Sequence, residues 1–162
     1  MKQLFIFILL AGQAIAGVFL DDNFTGTDAT AVESHAGEVA GTWIEHAAGT
    51  GAGQLSANRL YSTASGNSIW RSAAVPTGAD YSVSATVRYM SGASDFGVCG
   101  RVDHEFRYAY WAGYLASTGK WTLLKRVNTG LFTGTGMGTP YTQSLVAGTD
   151  YTVKLDMSGS AI

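Results

Sequence analysis

The chain has 162 residues and a formal net charge of −2, with 46% hydrophobic and 14% charged residues, a length that suits one domain able to bury a core without covalent staples. Its basic residues form no patch, which excludes nucleic-acid binding by charge neutralisation and a polybasic membrane anchor. A single cysteine, Cys99, excludes an intramolecular disulfide scaffold.

Residues 1–16 read as a secretory signal peptide. Lys2 is the only charge before Asp21, residues 4–10 are continuously apolar, and Ala14-Ile15-Ala16 forms a small-x-small cleavage site before Gly17. The run falls short of the roughly 20 apolar residues of a membrane span. The mature domain is therefore expected over 17–162, exported and without a stable span once the signal is removed.

Residues 17–24 read as a short first strand ending in an acidic turn. Residues 25–41 are small and polar; Val32, His35, Ala36 and Val39 permit a helical turn or two, with a long loop as the alternative. Strands are expected over 42–46, 54–61 and 68–73, with turns at 64–67 and 76–80. The cleanest segment follows: Tyr81, Val83, Ala85, Val87 and Tyr89 alternate with Ser82, Ser84, Thr86 and Arg88, the mark of a half-buried antiparallel strand.

After a turn at 91–94, strands are expected from Phe96, over 106–116 and over 121–127, separated by turns at 117–119 and 128–130. Residues 131–138 read as a Gly-rich strand or edge, and Tyr151, Val153, Leu155 and Met157 alternate in a final strand. Breaks about every 8–12 residues are the signature of an all-β sandwich or barrel. Residues 158–160 read as a turn and 161–162 as a strand left incomplete, so the chain is expected to lack its C-terminal strands or to take the missing strand from a partner.

Several segments in this order carry a resemblance: Phe19-Leu20-Asp21-Asp22-Asn23-Phe24, Gly41-Thr42-Trp43, Asn58-Arg59-Leu60, Asp80-Tyr81-Ser82-Val83, Gly97-Val98-Cys99-Gly100-Arg101-Val102 and Tyr110-Trp111-Ala112-Gly113-Tyr114. Together they resemble the concanavalin A-like lectin/glucanase jelly rolls, in particular the laminin-G-like branch, over about residues 18–157. The resemblance implies an all-β, antiparallel two-sheet jelly-roll sandwich with one concave sheet. Members bind carbohydrate, hold a structural calcium beside the first strand, hydrolyse glycosides, or join proteins together.

The candidate chemistry follows from residue types. Glycoside hydrolysis needs two facing carboxyl groups, yet Glu33, Glu38, Glu45 and Glu105 are scattered, and Asp103-His104-Glu105 reads as a solvated hairpin tip. The chain is not expected to be an enzyme. Sugars stack on aromatic rings while polar groups fix their orientation, and Trp111, Arg101, Trp43 and Tyr110 are the candidate ligand-binding residues. Alternation places Trp111 on the face opposite Tyr108, Tyr110 and Tyr114. Asp21 and Asp22 supply hard oxygens and are the candidate calcium ligands, with a solvated Asx-type turn as the alternative. Cys99 reads as a buried small apolar residue. The resulting expectation is a non-catalytic carbohydrate- or surface-recognition module of a secreted or extracellular protein. The alternatives are a structural or adhesion module of a virion or cell surface, and a glycoside hydrolase fragment.

Overall fold

The structure, a computed structural model, describes residues 18, 20–39, 41–45, 52–62, 69–92, 95–103, 107–127 and 134–159. The expected signal peptide, the turns at 64–67 and 128–130, His104, Glu105 and the segment 160–162 lie outside them.

Eleven strands run through the described residues, in antiparallel sheets with none closed. Four short ones come first: β1 (Trp43–Glu45), β2 (Gly53–Leu55), β3 (Leu60–Ser62) and β4 (Trp70–Ser72). β1 pairs with β4 and β2 with β3. The main body comprises β5 (Tyr81–Arg88), β6 (Phe96–Gly100), β7 (Tyr108–Leu115), β8 (Lys120–Val127), β9 (Thr135–Gly136), β10 (Tyr141–Thr142) and β11 (Asp150–Met157). One sheet runs β10-β8-β7-β6, with β9 also on β8; β5 and β11 form a second layer.

The two layers pack face to face, and period two explains why. β5 turns Tyr81, Val83, Ala85 and Val87 inward, and β11 turns Val153, Leu155 and Met157 inward. They meet Val98 of β6, Tyr110 and Ala112 of β7, and Trp121 and Leu123 of β8. An eight-pair ladder from Asp150↔Arg88 to Met157↔Tyr81 holds the second layer in register. Each fully buried Val, Leu or Met contributes about 1.5–3 kcal/mol. The opposite face of this layer (Ser82, Ser84, Thr86, Arg88, Asp150, Thr152, Lys154 and Asp156) is polar and exposed. The layers approach most closely at Gly100, where Met157 occupies the space of a side chain and a Cβ would strike its sulfur.

Two expectations are corrected. Residues 20–24 form no strand; their ladder is a single bridge, Asp21↔Val39. The Asp22 carboxylate takes the Phe24 N–H at 2.6 Å and Asn23 Oδ1 takes the Thr25 N–H at 2.8 Å, so side chains claim the backbone groups a ladder needs. Phe24 sits at φ +55°, which no strand accommodates. The single strand expected over 54–61 is instead the β2–β3 hairpin, folded at Ala57 and Asn58 with φ of +50° and +56°, the twist of a two-residue hairpin turn. Residues 25–41 contain one 3-10 turn, Val32–Ser34, whose Val32 is fully buried.

Candidate functional site

A groove of about 340 Å³ lies between the edge of β8, the segment carrying Met137 to Tyr141, and Thr152, Val153 and Lys154 of β11. β8 supplies Trp121, Thr122 and Leu123, and β7 contributes Ala112 and Gly113. β9 and β10 both pair with β8, and the chain between them bends away at Gly138 (φ +77°) and Pro140, which opens the groove. Tyr141 stands directly opposite Trp121 in the β10–β8 ladder, so both side chains leave the same face. Trp121 is half-buried and Tyr141 is 66% exposed, so an aromatic surface runs from the interior into solvent.

Trp121 is fixed from beneath. Its Nε1 donates to Gln143 Oε1 at 2.6 Å, and Tyr114 Oη donates to the Gln143 carbonyl at 3.1 Å. Its ring packs edge-on against Tyr114 and Phe96, with centroids 5.3 and 5.8 Å away. Thr139 and Tyr141 bring hydroxyls to the groove's lining; Thr122 and Thr152 alternate with the core-facing Trp121 and Val153, so their side chains leave by the opposite faces, as does that of Lys154, which pairs with Asp156 at 2.7 Å. Among the described residues, its lining has no carboxylate.

The four candidate ligand residues do not converge there. Arg101 and Tyr110 do come together, the guanidinium 5.9 Å from the ring centroid, with Lys125 at 6.0 Å. Tyr110 packs against the core, however. Arg101 fastens the sandwich end: its N–H donates to Tyr81 Oη at 2.6 Å, and Nη2 donates to the carbonyls of Ala79, at 2.9 Å, and Gly159. Trp111 lies on the other face of β7, its ring folded over Gly113. That face is not an open platform, since Ala109 and Arg126 on it are 0% and 2% exposed.

Trp43 lies elsewhere, beside Asp22. The Asp22 carboxylate, 2% exposed, accepts from His35 Nε2 at 2.8 Å, from the Phe24 N–H at 2.6 Å and from Trp43 Nε1. The Phe24 ring packs against both His35 and Trp43, with centroids 5.9 and 5.5 Å away. Both Asp22 oxygens thus accept from N–H donors, which satisfies the buried carboxylate within the protein itself. The neighbouring Asp21 is exposed and engaged through its backbone with Val39. Among the described residues, no three His, Cys, Asp or Glu side chains gather as a metal site would require.

Other reactive groups are also absorbed by structure. Glu33 accepts from Trp70 Nε1 at 3.2 Å and Glu38 from the Asn23 N–H at 2.8 Å. Burial pushes the Cys99 thiol up to about 12, with the Arg126 guanidinium pulling the other way, so the nucleophilic thiolate is suppressed. Burial in turn lowers the Arg126 pKa from its ordinary value, against the opposing pull of Cys99 and Asp103.

No family model, curated protein or solved structure matches this chain. The groove is the candidate site. Sequence reading missed that site because β10 has two residues and no period to detect. The available signal was the Tyr141-Thr142-Gln143 triplet beside a Gly/Pro bend.

Proposed function

We propose that the chain is an exported, non-catalytic carbohydrate-recognition module with a concanavalin A-like, laminin-G-like jelly-roll sandwich. The observation that carries this reading is the groove, in which an aromatic surface formed by Trp121 and Tyr141 lies beside the hydroxyls of Thr139 and Tyr141. Small-molecule sites are concave and mostly apolar, and the volume falls at the lower end of their usual range of about 300–1,000 Å³. Two antiparallel layers with a shared core support the sandwich part of that reading.

A glycan-array screen of residues 17–162 tests the proposal, with binding to at least one glycan class as the expected result. One observation favours a second reading, a structural module of a virion or cell surface: Trp43, Tyr110 and Arg101 are engaged in internal contacts. The absence of binding across broad glycan classes would select it.

A further inference from the structure

We infer that the groove takes an uncharged glycan and that Tyr141 is the ring on which its sugar stacks, an inference that rests on the carbohydrate reading above. The charge inventory carries it. The one ionised residue in the lining, Lys154, has its side chain on the outer face of β11, where it pairs with Asp156 at 2.7 Å. Among the described residues, the lining adds no Arg, His, Asp or Glu. An anionic ligand would find no cation turned toward the aromatic wall. A cationic one would find no carboxylate.

The polar side chains that remain on the groove side are the hydroxyls of Thr139 and Tyr141, each able to donate and to accept. A polyhydroxylated neutral ligand matches that set without leaving a charge unpaired. Its apolar C–H face matches the Tyr141 ring, which is 66% exposed while its cross-strand neighbour Trp121 is held by Gln143. Because the Trp121 indole is already hydrogen-bonded, the wall behind the ligand needs little reordering on binding. Met137, 41% exposed, forms the apolar rim of the segment that bends at Gly138.

The test is calorimetric titration of the mature chain with neutral gluco- and manno-oligosaccharides, alongside oligogalacturonate and a sulfated oligosaccharide. Neutral oligosaccharides are expected to bind with an affinity that is the same at about 50 and about 500 mM salt, because no ion pair forms for salt to screen. Tyr141→Ala is expected to weaken binding about tenfold, and Tyr141→Phe to stay within about threefold of the parent. Near-ultraviolet circular dichroism confirms that both variants are folded. Binding to the anionic glycans alone, weakening with salt, overturns this inference and leaves the carbohydrate reading standing. Neutral binding that Tyr141→Ala leaves unchanged overturns the groove assignment. Failure of every glycan to bind overturns both.

Discussion

Replacing Asp22 by Ala tests whether the N-terminal segment is held by one buried carboxylate. The side chain is 2% exposed, and His35, also nearly buried, donates to it together with Trp43 Nε1 and the Phe24 N–H. Alanine leaves three donors without an acceptor, and each buried unsatisfied group costs about 1–3 kcal/mol. The three share one network, so their losses do not simply add; a destabilisation of about 3–5 kcal/mol is expected. It should also release Phe24 from φ +55°, a conformation costing roughly 1–3 kcal/mol that the Asp22 contact offsets. Urea denaturation followed by circular dichroism reads the effect. With an m-value of about 2 kcal/mol/M, a loss of about 4 kcal/mol moves the midpoint down by roughly 2 M. Asp22→Asn keeps one oxygen but turns an amide N–H toward a donor, so about 1–3 kcal/mol is expected. Trp43→Phe in a double-mutant cycle with Asp22→Ala should show a coupling of about 1–2 kcal/mol. An Asp22→Ala midpoint within about 0.3 M of the parent would refute the reasoning.

Asp150 accepts from Arg88 at 2.7 and 3.0 Å and from Arg59 at 3.2 Å, and the Arg88 hydrogen bond leads the effects that hold its carboxyl below the usual carboxylate range. A depressed folded pKa gives stability that is present above the unfolded value and lost as pH falls toward the folded one. The melting-temperature gap between the parent and Asp150→Asn should therefore be open at neutral pH and closed in strong acid; a gap independent of pH would contradict this. Cys99 should resist a thiol reagent at pH 8 in the folded state and react on unfolding, whereas rapid labelling of native protein would contradict its burial. Gly97→Ala should cost more than Gly100→Ala, about 2–3 against about 1 kcal/mol in thermal unfolding. A Cβ at Gly97 meets the Ala112 and Gly113 backbone, while one at Gly100 clashes with the flexible end of Met157 and makes ordinary contact with Leu155. The reverse order would show that the sheet yields more readily than the methionine.

Legibility in the sequence followed periodicity. β5 and β11 were readable because strict alternation over eight residues admits one arrangement on a half-buried sheet, and the opposed faces of Trp111 and the tyrosines follow from the same rule. The β2–β3 hairpin was not readable, since Ala57 is a poor advertisement for positive φ. The Asp22 hub was read as hard oxygens because the sequence shows the carboxylate and not the donors from residues 13 and 21 positions away. Trp43 and Tyr110 looked like ligand rings for a related reason: an aromatic residue's type does not say whether its partner is a guest or another side chain. The groove depends on Trp121 facing a two-residue strand across a bend, a long-range coincidence with no local signal.

The fastening of Trp121 to Gln143 also equips this protein with its own optical reporter. The other tryptophans stand apart from the groove: Trp43 is tied to Asp22, Trp70 to Glu33, and Trp111 covers Gly113 on the opposite side of the sheet. A shift in intrinsic fluorescence on adding an oligosaccharide would thus originate from one identifiable indole, and Trp121→Phe would silence it, so occupancy can be followed without attaching a dye.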